Sequence, residues 1–246
     1  MKSNHHRSIH ALLFDLDDTL WPIAPVISNA EQVLFTWIAA HAPKVAASYS
    51  IEMMRHHRMQ LIQARPELAI DLIALRHQAL HGAFLNCGED TALVNNAMHV
   101  FNQARNQVQL FDDVRHCLPR IAKLVKLGSL TNGAADLEAI GLAHHFEVSL
   151  SAHKIGKAKP DPHVFLLACE ALKLQPEQVA YIGDDLRLDV EGAQKAGLTG
   201  IWLNRQHQQA PSELGHIQPD ATFTNLYDLV GWLTTSTSIH DATGAK

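Results

Sequence analysis

The apolar run Ala11-Leu12-Leu13-Phe14 ends in Asp15-Leu16-Asp17-Asp18-Thr19. A buried strand that stops at crowded carboxylates is poorly explained by stability. Gathering acids beside apolar chain raises their mutual repulsion and their desolvation cost, unless a metal ion, a proton or a substrate offsets them. Side chains of an extended chain alternate with period two, so Asp15 and Asp17 are expected on one side, within reach of one reacting centre.

Three further segments carry matching chemistry. Gly128-Ser129-Leu130-Thr131-Asn132-Gly133 reads as a short strand closing on a hydroxyl, an amide and a flexible glycine, a candidate oxyanion cradle. Lys159 stands before Pro160-Asp161-Pro162, in a loop leading to a helix whose expected cap is Asp161 and whose first residue is Pro162. Lys157 competes for its role, and the adjacent proline favours Lys159. Val179-Ala180-Tyr181-Ile182 is a second apolar strand ending in acids, Gly183-Asp184-Asp185, with Asp189 one helical turn further on.

Helical periodicity fills the stretch after the first acidic strand end, with helices expected near Val26–Ala40, Ile51–Ala64, Pro66–Leu85 and Glu89–Arg105. Structureless connections above about 15 residues are uncommon, so residues 22–108 are expected to form a helical domain inserted into a core built from 1–21 and 109–246. From Asp112 onward the pattern alternates: helix Val114–Lys126, strand Leu127–Thr131, helix Asp136–Leu142, strand Glu147–Leu150, helix Pro162–Leu172, strand Val179–Ile182, helix Leu188–Ala196, strand Gly200–Leu203. Asp220–Phe223 adds a short strand and Leu226–Leu233 a closing helix, while Thr234–Lys246 lacks a core pattern and is expected to fray. This alternation indicates an α/β protein with a doubly wound parallel sheet. Ligands of such sheets bind beyond the carboxyl ends of the strands, where all these motifs fall. Strand order is not readable from the pattern.

Composition narrows the function. A hydrophobic fraction of 47% in 246 residues supports a proper core, and the apolar stretches fall far short of the roughly 20 residues that cross a bilayer. Met1–His10 has no apolar segment followed by a small-residue cleavage site, so a cytoplasmic protein is expected. Cys87, Cys117 and Cys169 are odd in number and widely spaced, which indicates core thiols and not a disulfide framework or a zinc site. A formal net charge of -5 with scattered Lys and Arg lacks the basic stripe of a nucleic-acid binder. Among the histidines, His77 and His81 have a chelating i, i+4 spacing but no acid or cysteine to complete a set; His5-His6, His56-His57 and His144-His145 read as partly exposed surface.

The ordered set Asp15-x-Asp17-x-Thr19, Thr131-Asn132, Lys159-Pro160 and Gly183-Asp184 with Asp189 resembles the four motifs of the haloacid dehalogenase superfamily of phosphohydrolases. The stretches from Phe14 to Trp21 and from Ile182 to Val190 are similar to its bacterial branch of flavin mononucleotide (FMN) and 5-amino-6-(5-phospho-D-ribitylamino)uracil phosphatases. The resemblance implies a Rossmann-type core with an inserted cap of the C1 type that closes over a small phosphorylated metabolite. It implies a magnesium ion held by Asp15, Asp184 and the backbone carbonyl of Asp17, with Asp189 supporting it. It implies Asp15 as the nucleophile that forms an aspartyl-phosphate and Asp17 as the acid that protonates the leaving alkoxide and then the base that activates water. Thr131, Asn132 and Lys159 are implied to hold the phosphoryl oxygens. Dehalogenases are implied to lack a carboxylate at the place of Asp17, because a departing halide needs no proton; its presence favours a phosphatase.

Simpler readings apply to some positions. Asp18 suits a turn cap, and Asp185 suits an exposed helix start. Trp21 is expected either to stack on a substrate ring or to pack at the cap junction, and Arg76, on a cap helix after Asp71, is implied by the same resemblance to face the site. A phosphotransferase, a nucleotide or sugar phosphatase, and a non-catalytic phosphometabolite-binding protein are the rival functions. Oligomeric state is left open.

Overall fold

The computed structural model describes residues 9–241. The reading of the N-terminal stretch and of His5-His6 falls on residues 1–8 and lies outside the described residues, as do 242–246. Six strands form one sheet: β1 (Ala11–Phe14), β2 (Lys126–Thr131), β3 (Val148–Ser151), β4 (Val179–Gly183), β5 (Thr199–Leu203) and β6 (Ala221–Phe223). Their order is β3-β2-β1-β4-β5-β6, and every neighbouring pair is parallel. β1 is therefore central, with Phe14 opposite Ser129 on one side and Ile182 on the other. The chain winds outward from β1 in both directions. The resulting switch point is where ligands of such sheets bind.

β1 and β4 are buried along their whole length, as expected of parallel strands covered on both faces. One covering layer is the helix Pro162–Leu172, whose Val164, Phe165, Ala168, Cys169 and Leu172 pack with Leu13, Val179 and Tyr181. It begins as its sequence implies, with Asp161 Oδ1 accepting the His163 N–H at 2.9 Å and proline at the first position. Cys117 and Cys169 are buried and Cys87 half-buried, all as free thiols.

The chain divides into two compact units. Pro22–Gln109 forms the helical one, and the short segment Gly133–Gly141, placed with the sheet by the sequence pattern, groups with it through an Asp136 N–H bond to Asn106 Oδ1 at 3.1 Å. Its main helices are α1 (Ile23–His41), α2 (Pro43–Ser48), α3 (Ile51–Ala64), α4 (Leu72–Asn86) and α5 (Val94–Arg105). Ala30, Leu34 and Ile38, spaced four apart on α1, bury against Phe84, Ala97, Met98 and Phe101.

Several boundaries differ from the sequence pattern for local reasons. The expected helix Pro66–Leu85 is broken into a 3₁₀ turn, Pro66–Ala69, and α4, because Asp71 caps the Ile73 and Ala74 N–H groups and starts a new helix. Asp90 likewise opens a 3₁₀ turn before α5. α2 and the short helix Ala152–Ile155 carry too few residues to show a period. The expected helix Leu188–Ala196 is a π-helical turn, Leu186–Glu191, followed by Gly192–Lys195. The closing helix, expected to stop at Leu233 and fray from Thr234, runs from Leu226 to Asp241.

Candidate active site

The carboxyl ends of β1, β2 and β4 bring the widely separated motifs together. Asp15 directly follows β1, and its N–H still donates to the Ile182 carbonyl at 2.9 Å, so the nucleophile candidate is anchored by the sheet itself. Asp184 directly follows β4. Asp15, Asp184 and Asp189 each offer a carboxylate oxygen within 4.8 Å of the others. Lys159 enters this cluster from the loop before Pro162. Its Nζ donates to Asp15 Oδ1 at 2.6 Å, to Asp189 Oδ1 at 2.7 Å and to the Tyr181 hydroxyl at 2.8 Å. Lys157, its rival, is half exposed and pairs with Asp161 at 3.2 Å, away from the acids.

Each of these groups is held from behind. Asn132 clamps Lys159 by its backbone, accepting its N–H at 2.8 Å and donating to its carbonyl at 3.1 Å. Its side chain is thus spent on positioning the lysine, and the phosphoryl contact expected near Asn132 is left to backbone amides. Asp189 Oδ2 accepts the Asp185 N–H at 3.0 Å, so both Asp189 oxygens have protein partners. Gly183 makes room for this, since a β-carbon there would stand 2.2 Å from Asp189 Oδ2. Asp185 caps the Arg187 and Leu188 N–H groups, the helix-start role its position suggested. Thr131 is buried at the end of β2.

Asp17 and Trp21 depart from the simple picture. The strand ends at Phe14, so Asp17 is aimed by a tight turn and not by the pleat: Asp18 adopts a positive φ of 59° and its N–H donates to the Trp21 carbonyl at 2.7 Å. The Asp17 carboxylate is not part of the three-acid group. Its Oδ1 accepts the Trp21 indole N–H at 2.9 Å. Trp21 is fully buried, so it cannot offer a ring face to a substrate, and its place is as the support of Asp17. Arg76 lies in the helical unit, against Glu31 and the Phe101 ring.

The electrostatics are those of crowded acids around one buried lysine. Burial, then the neighbouring Asp189 and Asp184, hold the Asp15 pKa well above the usual carboxylate value despite Lys159. Burial, then Asp189 and Asp18, push Asp184 up to about 7. Burial works against the Lys159 ammonium, but Asp15 and Asp189 outweigh it and keep the lysine charged. Burial and the same acids raise the Tyr181 phenol, which stays protonated and donates to the Leu130 carbonyl at 2.7 Å. Three carboxylates thus stand together with one ammonium, which bonds two of them. The donor set is all oxygen, and a hard divalent cation is the group that fits it.

A doubly wound sheet with a buried acid–lysine centre at its switch point is an enzyme core. Residues 9–197 match the haloacid dehalogenase-like hydrolases, and the chain belongs to that family. It is 32% identical over 203 residues to YigB of Escherichia coli (strain K12), a 5-amino-6-(5-phospho-D-ribitylamino)uracil phosphatase, an alignment covering 81% of this chain and 85% of that protein. It is 29% identical over 219 residues to a phosphoserine phosphatase of Thermus thermophilus, covering 79% and 88%. Among solved structures, a 2-haloacid dehalogenase from Pseudomonas syringae pv. Tomato DC3000 matches with a TM-score of 0.86 and 36% identity, covering 92% of this chain and 99% of that one. No helix among the described residues is long and apolar enough to cross a membrane.

Proposed function

We propose that this phosphoric monoester hydrolase removes the phosphoryl group of a small phosphorylated metabolite through an aspartyl-phosphate on Asp15, with 5-amino-6-(5-phospho-D-ribitylamino)uracil or FMN as the favoured substrate. The observation that carries the reading is the Asp15–Lys159 contact. Lys159 fixes Asp15 Oδ1 at 2.6 Å and is itself fixed by Asp189 and Tyr181, while no donor among the described residues engages Asp15 Oδ2. That oxygen is available to attack phosphorus, and the covalent intermediate divides one hard step into two.

Asp17, oriented by Trp21, gives its proton to the leaving alkoxide and then takes one from the water that hydrolyses the intermediate. Lys159 and the Thr131 hydroxyl balance charge on the phosphoryl oxygens. Asp15, Asp184 and the Asp17 carbonyl would hold a magnesium ion, and Asp189 would support it; bound there, it neutralises phosphoryl charge.

Likeness to a solved 2-haloacid dehalogenase favours a second reading, halide displacement by the same Asp15. The carboxylate of Asp17 favours the phosphatase reading over it, because halide departs without a proton. The test is turnover of p-nitrophenyl phosphate with magnesium by wild type and Asp15→Asn, followed by a panel of phosphorylated metabolites and a 2-haloacid. Magnesium-dependent phosphate release, reduced on the order of a thousandfold or more in the variant, is expected. Halide release without phosphatase activity would establish the second reading. Ligand binding with no turnover would leave a phosphometabolite sensor, and an acceptor requirement would indicate phosphotransfer.

A further inference from the structure

We propose that Arg205 is a positioning residue for this reaction: it ties together the two stretches of chain that lead to and from the helical unit, and so fixes Thr19 against Asp184. The unit boundaries fall after Trp21 and after Gln109, which makes Thr19-Leu20-Trp21 and Leu110-Phe111 the sheet unit's residues at those connections. Arg205, two residues past β5, reaches both. Its Nε donates to the Thr19 carbonyl at 2.9 Å, its Nη1 donates to Asp113 Oδ2 at 3.0 Å, and its Cζ lies 4.2 Å from the centroid of the Phe111 ring. The connections are also joined directly, the Phe111 N–H donating to the Leu20 carbonyl at 3.0 Å. Thr19 is fully buried, and its Oγ1 donates to Asp184 Oδ1 at 3.3 Å. A guanidinium at the end of β5, the Thr19 backbone, its hydroxyl and the Asp184 carboxylate are therefore linked in series.

Stability alone explains this arrangement poorly. Burying a guanidinium with a carboxylate incurs a desolvation penalty that their attraction offsets only when the remaining polar atoms are satisfied. Here Arg205 Nη2 and Asp113 Oδ1 are buried without a hydrogen-bond partner among the described residues. A well-packed apolar pair would stabilise as much or more. What the ion pair supplies instead is a directional donor at the Thr19 carbonyl, held by a planar group that also stacks on Phe111. A lysine ammonium lacks that planar fork and stacking face.

The effect on turnover rests on the phosphatase reading; the effect on the backbone does not. Arg205→Gln and Arg205→Lys are compared with wild type by amide hydrogen exchange, by the magnesium-induced shift in melting temperature, and by steady-state kinetics. In Arg205→Gln the Leu20 and Phe111 amides are expected to exchange on the order of tenfold faster. The magnesium concentration for half the thermal shift should rise severalfold, and kcat should fall on the order of a hundredfold with KM little changed. Arg205→Lys should recover only part of each. A lower melting temperature with unchanged exchange at those amides and an unchanged magnesium midpoint would overturn the proposal. If Arg205→Gln does not fold, Asp113→Asn, which keeps the Oδ acceptor for the Leu226 N–H, carries the same expectations. Wild-type protein without magnesium-dependent turnover would remove the phosphatase reading and leave the exchange result to decide for or against Arg205.

Discussion

The acid cluster at the sheet's edge and the interior of the helical unit carry opposite versions of one imbalance. In the sheet unit Asp15 and Asp189 both bond the one Lys159 ammonium, with the Asp184 carboxylate beside them. In the helical unit three guanidiniums surround one carboxylate: Arg55 Nε lies 2.6 Å from Glu31 Oε2, Arg58 Nη2 contacts Oε1, and Arg76 Nη1 stands 3.6 Å from the same oxygen. Glu31 is as deeply buried as Asp15 and Asp189. The two differ in how the surplus is relieved. Arg55 is half exposed, and Arg76 lays its guanidinium 3.6 Å from the centroid of the Phe101 ring. Guanidinium is weakly hydrated and delocalised, so it tolerates burial against an aromatic face. Asp15 and Asp189 have no such outlet: both are buried, and both lean on the one Lys159 ammonium. Charge imbalance alone therefore does not mark a site. Imbalance that the surrounding atoms leave unrelieved does.

The comparison breaks most visibly at its two central residues. Glu31→Gln leaves buried guanidiniums without their carboxylate, and is expected to destabilise the protein by about 3 kcal/mol, the range found when one partner of a buried pair is removed. Asp15→Asn removes one acid from a group with too many and leaves the Lys159–Asp189 pair in place. In the absence of divalent cation it should unfold at the same or a higher denaturant concentration than wild type. Urea unfolding of both variants checks this. A neutral Glu31→Gln, or a strongly destabilised Asp15→Asn, would remove the distinction between a structural cluster and one waiting for a cation.

The sequence discloses these two regions unequally. Asp15 and Asp184 were legible because each ends an apolar strand where a parallel sheet presents its ligand-binding edge, Lys159 because it precedes Pro160 and a capped helix, and Asp189 because it stands one helical turn past the second acidic strand end. Trp21 and Asn132 were legible as neighbours of the site, but their work was not: one is buried behind Asp17 and the other grips the backbone of Lys159. Such roles depend on which way a side chain turns out of a tight loop, and no periodicity encodes it. Arg205 and Tyr181 escaped notice altogether. Tyr181 reads as one more apolar position in β4, and Arg205 as a solvated residue after β5, since their partners lie far away in sequence. The Glu31 cluster was hidden for the same reason. Its members come from α1, α3 and α4, and only the packed unit brings them together.

A gentler test uses pH. The Asp184 carboxyl, raised to about 7 in the folded chain by burial, then Asp189 and Asp18, has an ordinary value near ~3.9 when unfolded. The folded state thus holds this proton more tightly. Its stabilising contribution is complete below the unfolded value and is lost as pH rises through about 7. Metal-free protein should accordingly lose melting temperature between about pH 4 and 7, and magnesium should flatten that decline by taking the proton's place. In Asp184→Asn the slope should shrink with or without magnesium. A metal-free profile that rises across this window would show that Asp184 is not the strained acid of the cluster.

The smallest effect is expected at Arg76, where the two clusters are most alike in appearance and least alike in consequence. Burial, followed by repulsion from Arg58, pulls its pKa down to about 9, and its Nη1 is too far from Glu31 for a hydrogen bond. Arg76→Met keeps much of the volume over Phe101. The lost cation–π contact, about 0.5–2 kcal/mol, is offset by relief of repulsion, because Arg55 and Arg58 continue to bracket Glu31 at short range. Urea unfolding should therefore place the variant within about 1 kcal/mol of wild type. A destabilisation as large as that of Glu31→Gln would instead make Arg76 a structural partner of equal rank. The arginine surplus would then be part of what holds the helical unit together.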